Sequence, residues 1–320
     1  MKVSILIPVK KDNKYLRECI EKCLALDYAD FEIMVLPDEP INLPYSDKIR
    51  VIPTGSVNPA KKRDMAIKDI RGEILAFLDD DAFPAEGWLK NAINNFDNEN
   101  VAAVCGPAIT PETDDLGQRA SGFVYSSFLV SGAHNRRYTP RIICEVDDYP
   151  SCNFLIRREI FEEIGGFDTN FWPGEDTILC LKVTKQLDKK IIYDPRVLVY
   201  HHRRPLFMPH LKQVESYALH RGYFVKRFPR TSFRVAYFIP SIFVVGLAAG
   251  GFLAVIAPIF KSFYLQVIAA YVVLTLFNSF RYKGIKSKFL VFVGIVLTHL
   301  TYGVYFIKGL FARKLAEENG

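Results

Sequence analysis

Ile74-Leu75-Ala76-Phe77-Leu78-Asp79-Asp80-Asp81 is the stretch that decides how this 320-residue chain is read. Five apolar residues without alternation read as a strand buried on both faces, the kind found in parallel sheets. Three consecutive carboxylates then end it. Like charges that close repel and raise one another's pKa, so a fold that keeps them needs a neighbouring cation, most simply a divalent metal. In open α/β sheets the ligand crevice lies at that same end of the strands. One reading is therefore a metal-and-phosphate site; the other is three solvated turn acids capping a helix from Glu86.

Upstream, residues 3–9 and 31–36 read as buried strands on either side of a helix at 13–26, whose Tyr15, Leu16, Cys19, Ile20, Cys23 and Leu24 fall at helical spacing. A short strand at 49–52 follows. Asn58 and Pro59 then open a basic helix that runs through Lys61, Lys62 and Arg63 to Ile70. This is the βαβ beginning of a mostly parallel, Rossmann-like α/β sheet. Downstream, helices at 88–96, 158–164 and 175–187 alternate with strands at 101–105, 152–156, 191–193 and 197–200, and Gly165-Gly166 closes the second of those helices. Residues 111–150 are the least regular. Their run from Gly122 to Val130 suits either a lipid tail or ordinary core.

Half of the residues are hydrophobic, but unevenly placed: from about Val235 onward the chain becomes mostly apolar. Stretches at 235–260, 262–280 and 289–310 each reach the roughly 20 residues that a hydrocarbon core requires. An all-α membrane domain at 235–314, of about three helices, is expected. Basic and aromatic residues interleave at 211–234, as in a helix lying on a bilayer or in a solvated linker. The net charge of +6 is modest, and its concentration between His201 and Arg234 suits an anionic membrane surface rather than nucleic acid, for which no motif is present. Basic residues before the first stretch, and Arg281, Lys283, Lys286 and Lys288 after the second, put the N-terminal domain on the cytoplasmic face. With three spans, Lys308, Arg313 and Lys314 then lie on the wrong side. Residues 1–8 are too short an apolar run for a signal peptide. Six cysteines without a CxxC pair argue against a zinc site or a disulfide framework and fit a reducing compartment.

Certain features fall in a telling order: Ile7-Pro8-Val9 at the end of the first strand, Asp38 after the second, Arg63-Asp64, and Asp79-Asp80-Asp81. Further on come Asn153, Arg157-Arg158, Gly165-Gly166-Phe167-Asp168 and Trp172-Pro173-Gly174-Glu175-Asp176. Together they resemble the inverting nucleotide-sugar glycosyltransferases of family two, which have the GT-A fold. The resemblance covers roughly residues 1–205, with 206–234 as the interfacial segment. It is strongest to enzymes that extend lipid-linked saccharides for exopolysaccharides or glycoproteins.

That resemblance implies a UDP- or GDP-sugar donor contacted by Pro8, Asp38, Lys62, Arg63 and Asn153. Asp79 would face the ribose, with Asp80 beside it. Asp81, together with Asp79, would hold Mn²⁺ or Mg²⁺, which bridges the diphosphate and offsets the charge of the leaving group. Asp38 alone suits a turn acid equally well. Glu175-Asp176 suits a helix start on dipole grounds. In the family's pattern, however, the pair is catalytic, and Asp176 is the general base that lets a weakly nucleophilic sugar hydroxyl attack. His201 or His202 can complete the metal shell, with His202 preferred, and Arg203 and Arg204 can clasp diphosphate oxygens; lipid headgroups are their other natural partner.

The acceptor is then a hydroxyl of a lipid-linked saccharide, because a phosphate monoester is already anionic and needs no base. Transfer to polyprenyl or dolichyl phosphate is the alternative. A non-catalytic subunit that binds nucleotide sugar in a glycan export complex is a more distant one, since such a subunit needs neither Asp81 nor Asp176. Processive synthases of the family carry a QxxRW segment. Here Gln213 is followed by Val214-Glu215-Ser216-Tyr217, so repeated addition is not expected.

Overall fold

The computed structural model describes residues 1–44 and 46–318. The chain forms two compact units. The first comprises Met1–Pro111 and Arg136–His202 and is built on an eight-stranded sheet. Its strand order is β3 (Ile49–Val51), β2 (Phe31–Leu36), β1 (Val3–Pro8), β4 (Ile74–Leu78), β9 (Asn153–Arg157), β6 (Val101–Cys105), β10 (Lys190–Tyr193) and β8 (Cys144–Val146). β1 runs parallel to both β2 and β4, while β9 is antiparallel to β4 and β6. The mostly parallel α/β architecture expected from the sequence is the one observed.

Alternation along the central strands divides two cores. Val3, Ile5, Ile7, Ile74, Ala76 and Leu78 face one apolar layer, shared with α1 (Lys14–Leu24) and α3 (Trp88–Ile93). Leu6, Leu75 and Phe77 face the other, shared with α2 (Pro59–Ala66), α6 (Arg158–Glu163) and α7 (Glu175–Leu181). Burial on both faces is why these strands carry no polar alternation. A small second sheet orders β5 (Ala82–Pro84), β11 (Val199–His201) and β7 (Ala108–Ile109).

The chain winds outward from β1 to β2 and β3, then returns to β4 on the other side of β1. That reversal makes a topological switch point, with the crevice at the C-terminal strand ends. Pro8 pairs with Leu36 in register, and the β1–β4 pairing runs from Val3–Ile74 to Leu6–Phe77. Pro8, Asp38 and Asp79 therefore all lie at that end of the sheet.

The second unit comprises Glu112–Asn135 and the chain from Arg203 onward. It contains α4 (Leu116–Ser126), α5 (Phe128–Ser131), α8 (Met208–Arg227), α9 (Pro229–Ser232), α10 (Val235–Ile256), α11 (Pro258–Ser279) and α12 (Ile285–Phe311). α10, α11 and the segment beginning with α12 are long and apolar enough to cross a membrane. Residues 112–135 thus belong with the helical unit, although they lie inside the stretch 1–205. Asp115 and Gln118 form a reciprocal capping box that starts α4. The Gly122–Val130 run contributes Val124 to an apolar core with Val291 and Ile295.

Candidate active site

The acid triplet leaves β4 and enters β5 within one turn. β11 pairs antiparallel with β5, which sets His201 against Ala82 and brings its Nε2 to 3.0 Å from Asp81 Oδ1. Asp79, Asp81 and His201 each offer a ligand atom, all within 4.8 Å of one another. Carboxylate oxygens with one imidazole nitrogen suit Mn²⁺ well and Mg²⁺ acceptably, so the residues fit the expected cation.

Two expectations for this loop change. His202 was the preferred histidine, yet its backbone N–H donates to the Asp81 carbonyl at 2.9 Å, and its ring packs by Tyr15 and Phe83 with Nε2 3.1 Å from Glu18 Oε2. Neighbouring side chains of an extended strand point to opposite faces, so only one of two adjacent histidines can face the acids. The structure brings His201. Asp80, expected at the nucleotide sugar, accepts instead from Asn13 Nδ2 at 2.8 Å, while Asn13 Oδ1 caps α1 through the Tyr15 and Leu16 amides. Burial, and then the charge of Asp81, push the Asp80 carboxyl up to about 6.

Arg63 was expected near the base or phosphate of a donor. It is 1% exposed, lies over the rings of Phe77 and Phe167, and is held by protein groups. Its Nη2 donates to Asp79 Oδ1 and its Nη1 to Ser151 Oγ, both at 2.8 Å. Ser151 Oγ in turn donates to Asp176 Oδ1 at 3.4 Å. One buried guanidinium therefore ties the acid loop to the carboxylate pair of α7. Lys62 is likewise enclosed: its Nζ meets Asp38 Oδ1 at 2.6 Å, Thr54 Oγ1 at 2.8 Å and the Gly55 carbonyl at 3.2 Å. It fastens the loop after β3 to Asp38.

Asn153 is fully buried. Its Oδ1 accepts from Trp88 Nε1 at 2.9 Å, and its Nδ2 donates to the Pro107 and Val197 carbonyls. Every polar atom of that side chain has a protein partner. Pro8 is buried at the end of β1. Arg203, buried, and Arg204, exposed, fall in the second unit.

Glu175 and Asp176 open α7 after Gly174, whose φ of 122° favours glycine. Glu175 is buried, and its Oε2 has no hydrogen-bond partner among the described residues. Burial first, and the Asp176 charge second, push the Glu175 carboxyl well above its ordinary range. Asp176 is half-buried and is also raised by burial, an effect opposed by its hydrogen bond with Glu175 and by Arg63. Asp148 secures the next residue, accepting from Thr177 Oγ1 at 2.9 Å and from Arg137 Nη2 at 3.2 Å.

The Gly165-Gly166-Phe167-Asp168 turn has a local cause as well. Asp64 accepts from the Phe167 and Asp168 amides, and Lys182 Nζ donates to the Ile164, Gly166 and Phe167 carbonyls. A Cβ on Gly166 would lie 2.5 Å from Asp64 Oδ1, and its φ is +72°. Asp64 belonged to the Arg63-Asp64 pair of the family pattern but was given no role, and Lys182, Asn13, Ser151 and Asp148 were not singled out in the sequence. Only Asn13 carried a signal, as an N-cap ahead of a helical pattern.

A metal-capable acid loop at the switch-point end of the sheet is thus joined through Arg63 and Ser151 to a raised carboxylate pair. The chain belongs to glycosyl transferase family 2: residues 4–165, just over half of its length, match that domain. It is a glycosyltransferase with three apolar helices in its C-terminal part. Over 226 residues it is 22% identical to a glucosyl-dolichyl phosphate glucuronosyltransferase of Haloferax volcanii, covering 63% of this chain and 69% of that one. An uncharacterised glycosyltransferase of Rickettsia typhi is 27% identical over 243 residues, 70% of this chain and 72% of the relative. In three dimensions the chain is similar to a mannosyltransferase from Pyrobaculum calidifontis solved with GDP-mannose and Mn²⁺. The match has a TM-score of 0.54 at 16% identity and covers 98% of this chain and 88% of the other, which establishes a shared fold.

Proposed function

We propose that the protein is a membrane-bound, metal-dependent, inverting glycosyltransferase that moves a hexose-type sugar from a nucleoside diphosphate sugar to a hydroxyl of a lipid-linked saccharide. The observation that carries this reading is the continuous link from Asp79 through Arg63 and Ser151 to Asp176, which joins a metal-capable acid cluster to the carboxylate pair that opens α7.

Asp79, Asp81 and His201 would hold a divalent cation, whose chemistry when bound would be to offset negative charge on a leaving diphosphate. The chain's own groups do the rest. Arg63 holds Asp79 in place and Asp38 lies at the end of β2, where a nucleoside would enter. Asp176 takes the proton from the acceptor hydroxyl as its oxygen attacks the anomeric carbon from the face opposite the diphosphate. The new glycosidic bond forms while the bond to the diphosphate breaks, and configuration inverts. Burial favours the protonated form of Glu175, while Arg63 and the hydrogen bond with Glu175 favour the ionised form of Asp176.

A donor of the GDP- or UDP-sugar type is supported by the GDP-mannose and Mn²⁺ in the similar mannosyltransferase. A lipid-linked acceptor is supported by the glucosyl-dolichyl phosphate in the name of the Haloferax relative and by the apolar helices, which bring enzyme and acceptor to one surface. The same relative keeps transfer to a polyprenyl or dolichyl phosphate as the second reading. Catalysis occurs on the cytoplasmic face. A radiolabelled nucleotide sugar offered both polyprenyl phosphate and a lipid-linked monosaccharide separates the two readings: product from the saccharide is expected, and product from the bare phosphate alone overturns the hydroxyl acceptor.

A further inference from the structure

The three apolar helices do not keep the same company. α10 and α11 pair as a hairpin: Tyr264 lies against Gly250 and donates to the Leu247 carbonyl, and the ring of Tyr271 meets that of Phe243. Protein buries 6% of the most apolar window in each of these two, against 33% in the third. Near the closed end of the hairpin, Phe252, Val255, Ile259 and Phe263 are exposed, as side chains in hydrocarbon would be.

α12 runs beside α8 instead. His210 Nε2 meets Thr298 Oγ1 at 3.0 Å, Gly222 faces the Phe306 carbonyl, Gly309 faces the Leu219 carbonyl, and Lys226 Nζ donates to the Ala312 carbonyl at 2.7 Å. The partners keep a nearly constant offset along the sequence, so the two helices lie side by side in the same direction over about 24 Å at 1.5 Å per residue. Their backbones touch. A methyl group on Gly309 would sit 2.1 Å from the Leu219 oxygen, and one on Gly222 would sit 2.2 Å from the Phe306 oxygen. Beyond α12 the chain stays on α8, with Glu317 Oε1 3.0 Å from His220 Nε2 and Glu318 accepting from Tyr223. α12 meets α10 near the start of the latter, through the pairs Phe238–Phe306, Ser241–Gly303 and Phe243–His299.

α12 touches α8 along about 24 Å but meets α10 and α11 over residues 299–306, where His299 Nδ1 lies 2.9 Å from the Tyr271 hydroxyl, so α8 chiefly sets its medium. α8 carries Lys212, Glu215, Arg221, Lys226 and Arg227, and a helix with that many charges does not enter hydrocarbon. We infer that α12 does not cross the bilayer. α8 and α12 form a paired layer on an anionic lipid surface, and among the described residues α10 with α11 is the membrane-crossing hairpin. Part of the apolar length of α12 is taken up by protein contact, since Val291, Ile295 and Phe306 are fully buried, and the exposed Phe289 and Phe311 would meet the lipid surface. Charge agrees. Lys308, Arg313 and Lys314 join Arg281, Lys283, Lys286 and Lys288 on the face that carries α8, and Lys261 alone is left near the far turn, which removes the conflict that a third span creates.

Three single substitutions in the full chain test this in sealed vesicles with a membrane-impermeant maleimide: Lys261→Cys, Lys283→Cys and Lys314→Cys. The native thiols are buried apart from half-buried Cys144, and labelling of the unmodified protein supplies the background. Lys283→Cys and Lys314→Cys should react from the same face, and Lys261→Cys from the opposite one. Reaction of Lys314→Cys from the Lys261→Cys face would overturn the inference, as would reaction of all three from one side. Trypsin gives a variant-free check. Added on the face that carries Lys283, it should cut the unmodified protein after Arg313 or Lys314, and protection of those bonds from that face contradicts the inference.

Discussion

The acid loop after β4 and the carboxylate pair that opens α7 are both short runs of acids, and the protein treats them in opposite ways. Asp79 and Asp81 stay half-exposed, and His201 completes an open set of oxygen and nitrogen donors. Glu175 is buried beside half-buried Asp176, and burial raises both. A half-exposed cluster of carboxylates with an imidazole can take up a cation. A desolvated pair favours keeping a proton, and a carboxylate that binds protons more readily is a better general base. The contrast shows that two short acidic runs differ through their surroundings, His201 beside one and buried Glu175 within the other, with Arg63 and Ser151 as the link between them.

The largest break in this contrast comes from Asp176→Asn, which keeps the shape and removes the proton acceptor. Transfer should fall by roughly 10²–10⁴-fold, read from initial rates at saturating donor. Next comes the choice between adjacent histidines. His201→Ala should weaken metal affinity at least about tenfold, the scale seen even for outer-sphere partners of a metal, while His202→Ala leaves it near the parent value. Equal losses from both would undo the assignment of His201.

Smaller effects sharpen the link. Ser151→Ala removes one donor to an ionised carboxylate, and kcat should drop about tenfold with KM for the donor unchanged. A rise in KM without a fall in kcat would place Ser151 at the donor instead. Acidity gives a further handle. A base works when ionised, and burial raises Asp176 above the ordinary aspartate value near 3.9, so the acid limb of the kcat profile should lie above that pH and activity should fall as pH drops through it. Smallest in functional reach is Asn153→Ala. It strands the Trp88 Nε1–H and two buried carbonyls, costing about 1–3 kcal/mol of stability in thermal unfolding while the donor affinity of the surviving folded protein stays intact.

Much of the fold was legible because its central strands are apolar on both faces and its helices repeat at regular spacing. β1, β2 and β4 fall where unalternated runs end in Pro8, Pro37 and Asp79, and the family pattern supplied the GT-A architecture. What stayed hidden depends on side-chain direction. Sequence spacing does not say which of His201 and His202 faces the acids, because that follows from the register of β11 on β5. Nor does it separate Arg63 at a phosphate from Arg63 buried between Phe77 and Phe167. Ser151 lies 88 residues from Arg63 in the chain and carries no local pattern at all. The irregular 111–150 region failed to read as one element because it serves two units, 112–135 in the helical one and the remainder in the sheet.

The division of labour between the two acid runs is tested most directly by calorimetric titration of nucleoside diphosphate sugar with Mn²⁺ into Asp81→Ala and Asp176→Asn, each paired with a turnover assay. Asp81→Ala should lose the Mn²⁺-dependent part of donor binding, whereas Asp176→Asn should bind donor like the parent and fail to transfer. Full turnover by Asp176→Asn, or unchanged Mn²⁺-dependent binding by Asp81→Ala, would contradict it.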